Sequence, residues 1–515
     1  MKEKIRAAFT SDVAVLAYVS IIPLLLHSLI HPEFGFQRDE FLYIAMADHL
    51  DWGFLEVPPG IAVIAMISKF LFGVSYFSFH VFPALAGCLM VFMTGWMTRA
   101  MGGNRFAQIL SAVCVMISPS YLRSSLLLQP VVFEQLYVTL LAFAVIKLLK
   151  SQNPRWWLAI GLISGIGLMN KYSMLLFGLG LVIGILVTRN RKMFLTRWPW
   201  LGAGIAFLNF LPNILWQYGY QWPIFDHLKK LSETQLVHVS PLGFLEGQLW
   251  MNPFTSVVWL TGIFFFLFAK RGRMFRATGW IFVTALAVLL IFSGKDYYLL
   301  PAYPMLLAGG SVLIAGWAWI EKRKWLQTVV VIIMAAVHTR FIPYGIPIYS
   351  VNKMQEYCLY MAEHRGLDGP LRWETGKMHK LPQDYADMLG WEGIARTTSK
   401  VYHSLPDSEK TDCAVIGSNY GLAGAIDYYS KKYDMPKSIS PNGSYFIWGP
   451  RSYSGKSAVL VGVDTSVASK FFNTVEPAEW ATDPYAREDS VLICIVRHPR
   501  TTLAKVWSKL SVYRY

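Results

Sequence analysis

The stretch that decides the fold lies between two apolar blocks. It reads Gln37-Arg38-Asp39-Glu40-Phe41-Leu42-Tyr43, then Asp48-His49-Leu50-Asp51-Trp52-Gly53, then Glu56-Val57-Pro58-Pro59-Gly60. The apolar run 13–30 precedes it, so adjacent carboxylates follow directly on a block of bilayer-spanning length and sit where lipid meets water. Residues 39–50 have helical character, with Glu40, Tyr43 and Ala47 along one side and Phe41, Leu42 and Ala45 on another. That pattern predicts a helix lying along the membrane surface. The Pro-Pro pair stops it and starts a second apolar helix over 61–72. Asp39 reads in two compatible ways: a helix cap, with Glu40 complementing the dipole, or a general base where a membrane-borne substrate meets water.

Working outward, the rest of the chain repeats the apolar theme. Of 515 residues, 54% are hydrophobic and 15% charged, whereas a soluble domain carries about a quarter charged residues. Disorder, fibres and a disulfide-stapled scaffold are excluded, and the chain is read as an α-helical polytopic membrane protein. Spans are expected at 13–30, 77–98, 106–122, 126–149, 156–170, 172–188, 199–217, 254–269, 277–293, 298–319 and 325–343, about eleven in all. Lys2, Lys4 and Arg6 precede the first span with no small-residue cleavage site after it, which places the N-terminus inside. The basic clusters Arg189, Arg191, Lys192, Arg197 and Lys270, Arg271, Arg273, Arg276 then fall on the same, cytoplasmic side. The net charge of +15 is dispersed between apolar spans, which argues for short cytoplasmic loops and anionic lipid rather than nucleic acid.

An odd number of spans puts the C-terminal region outside. We expect a membrane domain over 1–343, with a first external loop over 31–76, and an extracytoplasmic α/β domain over 344–515. Strands are expected at 415–418, 458–463 and 491–496, with Gly421 and Gly424 leading into a helix through Tyr429. Packing is the preferred reading of those glycines over phosphate binding. Cys413 and Cys494 are left open between a disulfide and two buried thiols.

Asp39-Glu40 with Tyr43, Glu56 before Pro58-Pro59, and Leu71-Phe72-Gly73 resemble the first periplasmic loop of GT-C glycosyltransferases. The nearest group is glycosyltransferase family 39, which includes protein O-mannosyltransferases and the bacterial lipid A aminoarabinose transferase. Asn170-Lys171-Tyr172 and Lys295-Asp296-Tyr297-Tyr298-Leu299-Leu300-Pro301 are also similar to that bacterial group, and the resemblance spans about residues 10–320. It implies transfer of a sugar from a polyprenyl-phosphate donor to a lipid, glycan or protein hydroxyl at the outer face of the inner membrane. It also implies that Asp39 is the catalytic base, with Glu40 supporting it. The leaving lipid phosphate needs cations against its developing charge. Where the aminoarabinose enzyme resembles Glu-Lys-Pro-Pro, this chain has Val57, so the cation must come from elsewhere. Arg38, Lys171 and Lys295 are the candidates. Tyr43, Glu56, Glu134 and Tyr298 complete the expected substrate-binding set.

No cofactor is required by these residues. A divalent metal is left open, because His49, His227, His238 and Glu56 lack paired ligand spacing. Trp216, Tyr218, Tyr220 and Trp222 read as an interfacial belt. The rival readings are a transporter or flippase for a lipid-linked glycan and a membrane-anchored binding protein. Against the first, the chain has no internal repeat, and its polar clusters lie at the outer border rather than at the midplane.

Overall fold

A computed structural model describes residues 11–513; Lys2, Lys4 and Arg6, whose charges give the expected orientation, lie outside the described residues. Helix α1 spans Asp12–His27, started by Ser11, whose hydroxyl accepts from the Ala14 amide. The first-loop helix α2 spans Arg38–Met46. Helix α3 (Gly60–Phe72) begins at Pro58-Pro59 and stops at Gly73, whose φ of +75° suits glycine. Then come α4 (Tyr76–Ala100), α5 (Pro130–Ser151), α6 (Trp156–Asn170), α7 (Met174–Leu186), α8 (Arg197–Gly219), α9 (Ser256–Leu267), α10 (Arg276–Ile291) and α11 (Tyr303–Ala315).

Small residues set how closely these helices approach. A Cβ on Gly161 of α6 would lie 2.1 Å from the Gly202 carbonyl of α8, and one on Gly310 of α11 would lie 1.9 Å from the Val258 carbonyl of α9. Gly184 of α7 meets Ala277 of α10 in the same way, at 2.3 Å. Such backbone contact is how helices pack where lipid offers no hydrophobic drive.

Every expected span coincides with helix, but fewer segments qualify as spans by length and composition. Among the described residues five are long and apolar enough, and counting each bent pair as one span gives up to eight. The expected span 106–122 illustrates the difference. Ser118-Pro119 divides it into Arg105–Ile117 and Pro119–Leu126, bent by 63°, because proline takes a first helical turn but cannot continue the preceding one. Helices α1 and α6 have 16 and 15 residues, short of the ~20 needed to cross untilted.

The C-terminal region carries a four-stranded sheet of order β1-β2-β4-β3. Strands β1 (Ala414–Gly417) and β2 (Ser457–Val461) run parallel, and β4 (Ser490–Pro499) is antiparallel to both β2 and β3 (Phe472–Thr482). Three of these match expected strands. Strand β3 was not expected: its sequence FNTVEPAEWAT is polar, and Pro477 sits at a register shift. An edge strand tolerates both features, since one side needs no partner. Cys413 and Cys494 are buried free thiols. Helix α12 (Trp391–His403) packs against the sheet, and α13 (Tyr420–Tyr429) packs against α2.

Candidate active site

The local structure of the first loop begins with its cap. Gln37, not Asp39, is the N-cap of α2: its side-chain oxygen accepts from the Asp39 amide at 2.8 Å. Glu40 completes a capping box by accepting from the Gln37 amide at 2.7 Å. The expectation that Asp39 caps this helix is therefore corrected, and its carboxylate is left for other work. Helix α2 also ends earlier than the expected 50. Beyond it, helix α8 takes over the chain. Trp216 Nε1 donates to Asp51 Oδ2 at 2.7 Å, Asn213 Nδ2 donates to the Trp52 carbonyl at 2.8 Å, and a Cβ on Gly53 would lie 2.4 Å from the Trp216 ring. Trp216 is thus a buried loop anchor, not part of an interfacial belt.

Asp39 is half-buried, and its Oδ1 accepts a hydrogen bond of 2.8 Å from the Tyr420 hydroxyl. Tyr420 opens α13, whose N-cap Asn419 accepts from the Leu422 amide. Two glycines permit the approach. A Cβ on Gly421 would lie 2.7 Å from Arg38 Cγ, and one on Gly424 would lie 2.7 Å from Phe41 Cβ. The packing reading of this glycine turn describes what is seen. The Arg38 guanidinium lies over the Tyr420 ring, 4.6 Å from its centroid, a cation–π contact. Burial pushes the Asp39 carboxyl above the ordinary range although Arg38 and Tyr420 both pull it down. A raised value makes a stronger proton acceptor at neutral pH.

Glu56 is tied to the C-terminal region. The Ser444 amide and hydroxyl donate to its two oxygens at 2.9 and 2.5 Å, and a Cβ on Gly443 would lie 2.3 Å from Oε1. Burial raises its carboxyl, with Asp39 adding like charge. Tyr43 is buried beside them, and its phenol is pushed up by burial and then by Asp39, Tyr420 and Glu56. Glu40 is fully buried. Its Oε1 accepts from the Leu128 amide at 2.7 Å and lies 2.8 Å from His80 Nε2. With both oxygens occupied, Glu40 binds α2 to α4 and to the segment before α5.

A second cluster holds the cations. Lys171, just past α6, lies 2.8 Å from Glu134 of α5, and Glu134 also takes the Ser173 hydroxyl. The Lys171 ammonium stands 4.8 Å from the Tyr298 ring centroid and 5.5 Å from that of Tyr297. Lys295 lies 2.5 Å from Glu374 Oε1 and 5.9 Å from the Tyr297 centroid. The Glu374 carboxylate adds a small like-charge push to the Asp39 carboxyl, well behind the effect of burial.

Tyr420, Glu374, Asp387 and Arg487 were missed by sequence reasoning. Tyr420 had a faint signal, the Asn419 cap beside the glycine turn. Glu374 and Arg487 stand in polar turns without pattern, and Asp387 closes the four-residue helix Gln383–Ala386. Among the described residues no group of three or more His, Cys, Asp or Glu is placed to hold a metal ion. His49 stacks on Trp448 instead, with centroids 4.1 Å apart.

Residues 56–216 match the family model described as dolichyl-phosphate-mannose-protein mannosyltransferase, a match that includes Glu56, Glu134 and Lys171 but begins after Asp39. The fold is similar to the crystal structure of ArnT from Cupriavidus metallidurans bound to undecaprenyl phosphate. The TM-score is 0.60 at 13% identity, covering 94% of this chain and 97% of that chain. The apo structure of the same ArnT gives 0.56 at 14% identity with the same coverage. No curated protein matches the sequence. The chain has the GT-C fold.

Proposed function

We propose that this chain is a membrane glycosyltransferase that moves a sugar from a polyprenyl-phosphate donor to a hydroxyl acceptor at the outer face of the membrane. The observation that carries the reading is the position of Asp39. It is released from capping by Gln37 and Glu40, held by Tyr420, and close enough to feel the charge of Glu374, which is paired to Lys295. The family match and the undecaprenyl phosphate bound to ArnT support a lipid phosphate as the carrier.

The chemistry follows from these groups. The acceptor oxygen attacks the anomeric carbon while Asp39 takes the hydroxyl proton. The bond from that carbon to the phosphate oxygen breaks, and its electron pair leaves with the polyprenyl phosphate. Because phosphate is already a good leaving group, no general acid is needed. Lys171 and Lys295 stabilise its charge, Tyr420 and Arg38 orient the base, and a single displacement inverts the anomeric centre. Glu134 orders Lys171, Glu56 fastens the Pro-Pro turn, and Tyr43 and Tyr298 line the site. The membrane part ends near residue 343, and the region from 344 onward lies outside with the site, opposite a cytoplasmic N-terminus.

The test is mass spectrometry of envelope glycolipids and glycoproteins from a strain deleted for this gene, complemented with wild type or Asp39→Asn. One glycan mass should disappear on deletion and return only with wild type. An unchanged profile would favour transport or binding, and full rescue by Asp39→Asn would remove the proposed base.

A further inference from the structure

Both lysines of the site already hold a carboxylate, and the two carboxylates are held very differently. Glu134 has 1% of its side chain exposed, is fixed within α5, and also takes the Ser173 hydroxyl. Its geometry offers it no solvent to retreat to. Glu374 reaches in from the C-terminal region on a tight turn in which Arg372 bridges Met378 and Gly376 takes a φ of +77°. That turn is well anchored. The Trp373 indole donates to the Leu381 carbonyl at 2.9 Å and stacks on His379, and the Glu374 amide donates to Gln383 Oε1 at 3.0 Å. The Glu374 side chain nevertheless keeps 35% of its surface exposed, against 14% for Lys295. It can swing into solvent while the backbone stays in place.

A carboxylate oxygen and a phosphate oxygen offer an ammonium group the same charge and hydrogen-bond acceptor at the same distance. Taking the donor reading above as its premise, we infer that Glu374 is a stand-in for the donor phosphate on Lys295: it keeps the lysine compensated before the donor binds, contests the position, and moves off as the lipid phosphate arrives. Glu374 then sets donor affinity without touching the reacting atoms, and it does so from the C-terminal region. Partial burial pushes its carboxyl up, but Lys295, with Gln383 and Arg487, more than reverses this, so it competes as an anion.

The sign of one substitution separates this role from an ordinary contact. A group that binds the donor weakens binding when removed, whereas a competitor strengthens it. The probe is undecaprenyl phosphate without sugar, titrated against the detergent-solubilised full chain. Glu374→Gln should bind it roughly two- to fivefold more tightly than wild type, the range of a partly exposed ion pair. Glu374→Asp, with shorter reach, should fall between. Lys295→Ala should weaken binding, and adding Glu374→Gln to it should bring no gain. Unchanged or weaker binding by Glu374→Gln, alongside weakening by Lys295→Ala, would overturn the stand-in role and leave the donor site intact. Wild-type affinity in Lys295→Ala would overturn the placement of the phosphate, and this inference with it.

Discussion

The Tyr420 hydroxyl donates to Asp39 Oδ1 at 2.8 Å, joining residues 381 positions apart in the chain. One partner opens a helix of the C-terminal region, and the other stands in the first turn of a helix just after the first apolar block. The proposed base thus takes its hydrogen bond from outside the membrane helices.

Asp39→Asn cannot accept a proton and should lower transfer by roughly 100- to 10,000-fold, the usual worth of a positioned base. Tyr420→Phe keeps the base but removes a hydrogen bond that favours its charged form. In the proposed mechanism the reacting form is the carboxylate, so activity should fall as pH drops through the Asp39 value, which burial already raises. In Tyr420→Phe that acidic limb should move to higher pH. Rate–pH profiles of the two variants and wild type check both outcomes.

Gly424→Ala places a Cβ 2.7 Å from Phe41 Cβ and 2.9 Å from the Phe41 backbone carbon. Backbone cannot yield as a flexible side chain does, so α13 must lift from α2. A loss of about 1–3 kcal/mol is expected for such overpacking, seen as a lower unfolding temperature together with lower activity. Gly393→Ala is the control, since nothing lies within 4 Å of its Cβ position.

Glu40→Ala leaves the Gln37 and Leu128 amides without their buried acceptor. The cost should be about 2–5 kcal/mol, and the protein should express poorly. Glu40→Gln keeps one acceptor oxygen and should lose less. The order Ala worse than Gln, read from thermal unfolding, distinguishes this structural role from a role in proton transfer.

Asp387 accepts from Gln37 Nε2 at 3.2 Å and lies 3.3 Å from Arg487. Burial pushes its carboxyl up from 3.8 to about 7, although Arg487 pulls the other way. The folded protein therefore holds this proton more tightly than the unfolded chain. That stabilisation is full below about pH 4, declines as pH rises toward 7, and is absent above it. Asp387→Asn should flatten the dependence of unfolding temperature on pH across that window. A slope equal to wild type would exclude Asp387 as its source.

What the sequence by itself determined is what depends on short-range pattern. Apolar blocks placed the helices, Pro58-Pro59 placed the break before α3, and β-branched runs placed β1, β2 and β4. The loop carboxylates were legible because charges beside an apolar block are costly and so draw attention. Tertiary structure alone decided which carboxylate does what. Asp39 and Glu40 are neighbours in sequence, and although the Gln37–Glu40 capping box is local, nothing local says that Glu40 also reaches Leu128 as a buried strut while Asp39 faces Tyr420. The same holds for Lys295, whose partner Glu374 comes from a polar turn 79 residues away. Long-range partners are chosen by packing at places such as Gly421 and Gly424, where the absence of a side chain sets how closely two distant segments meet, and no period in the sequence records that distance.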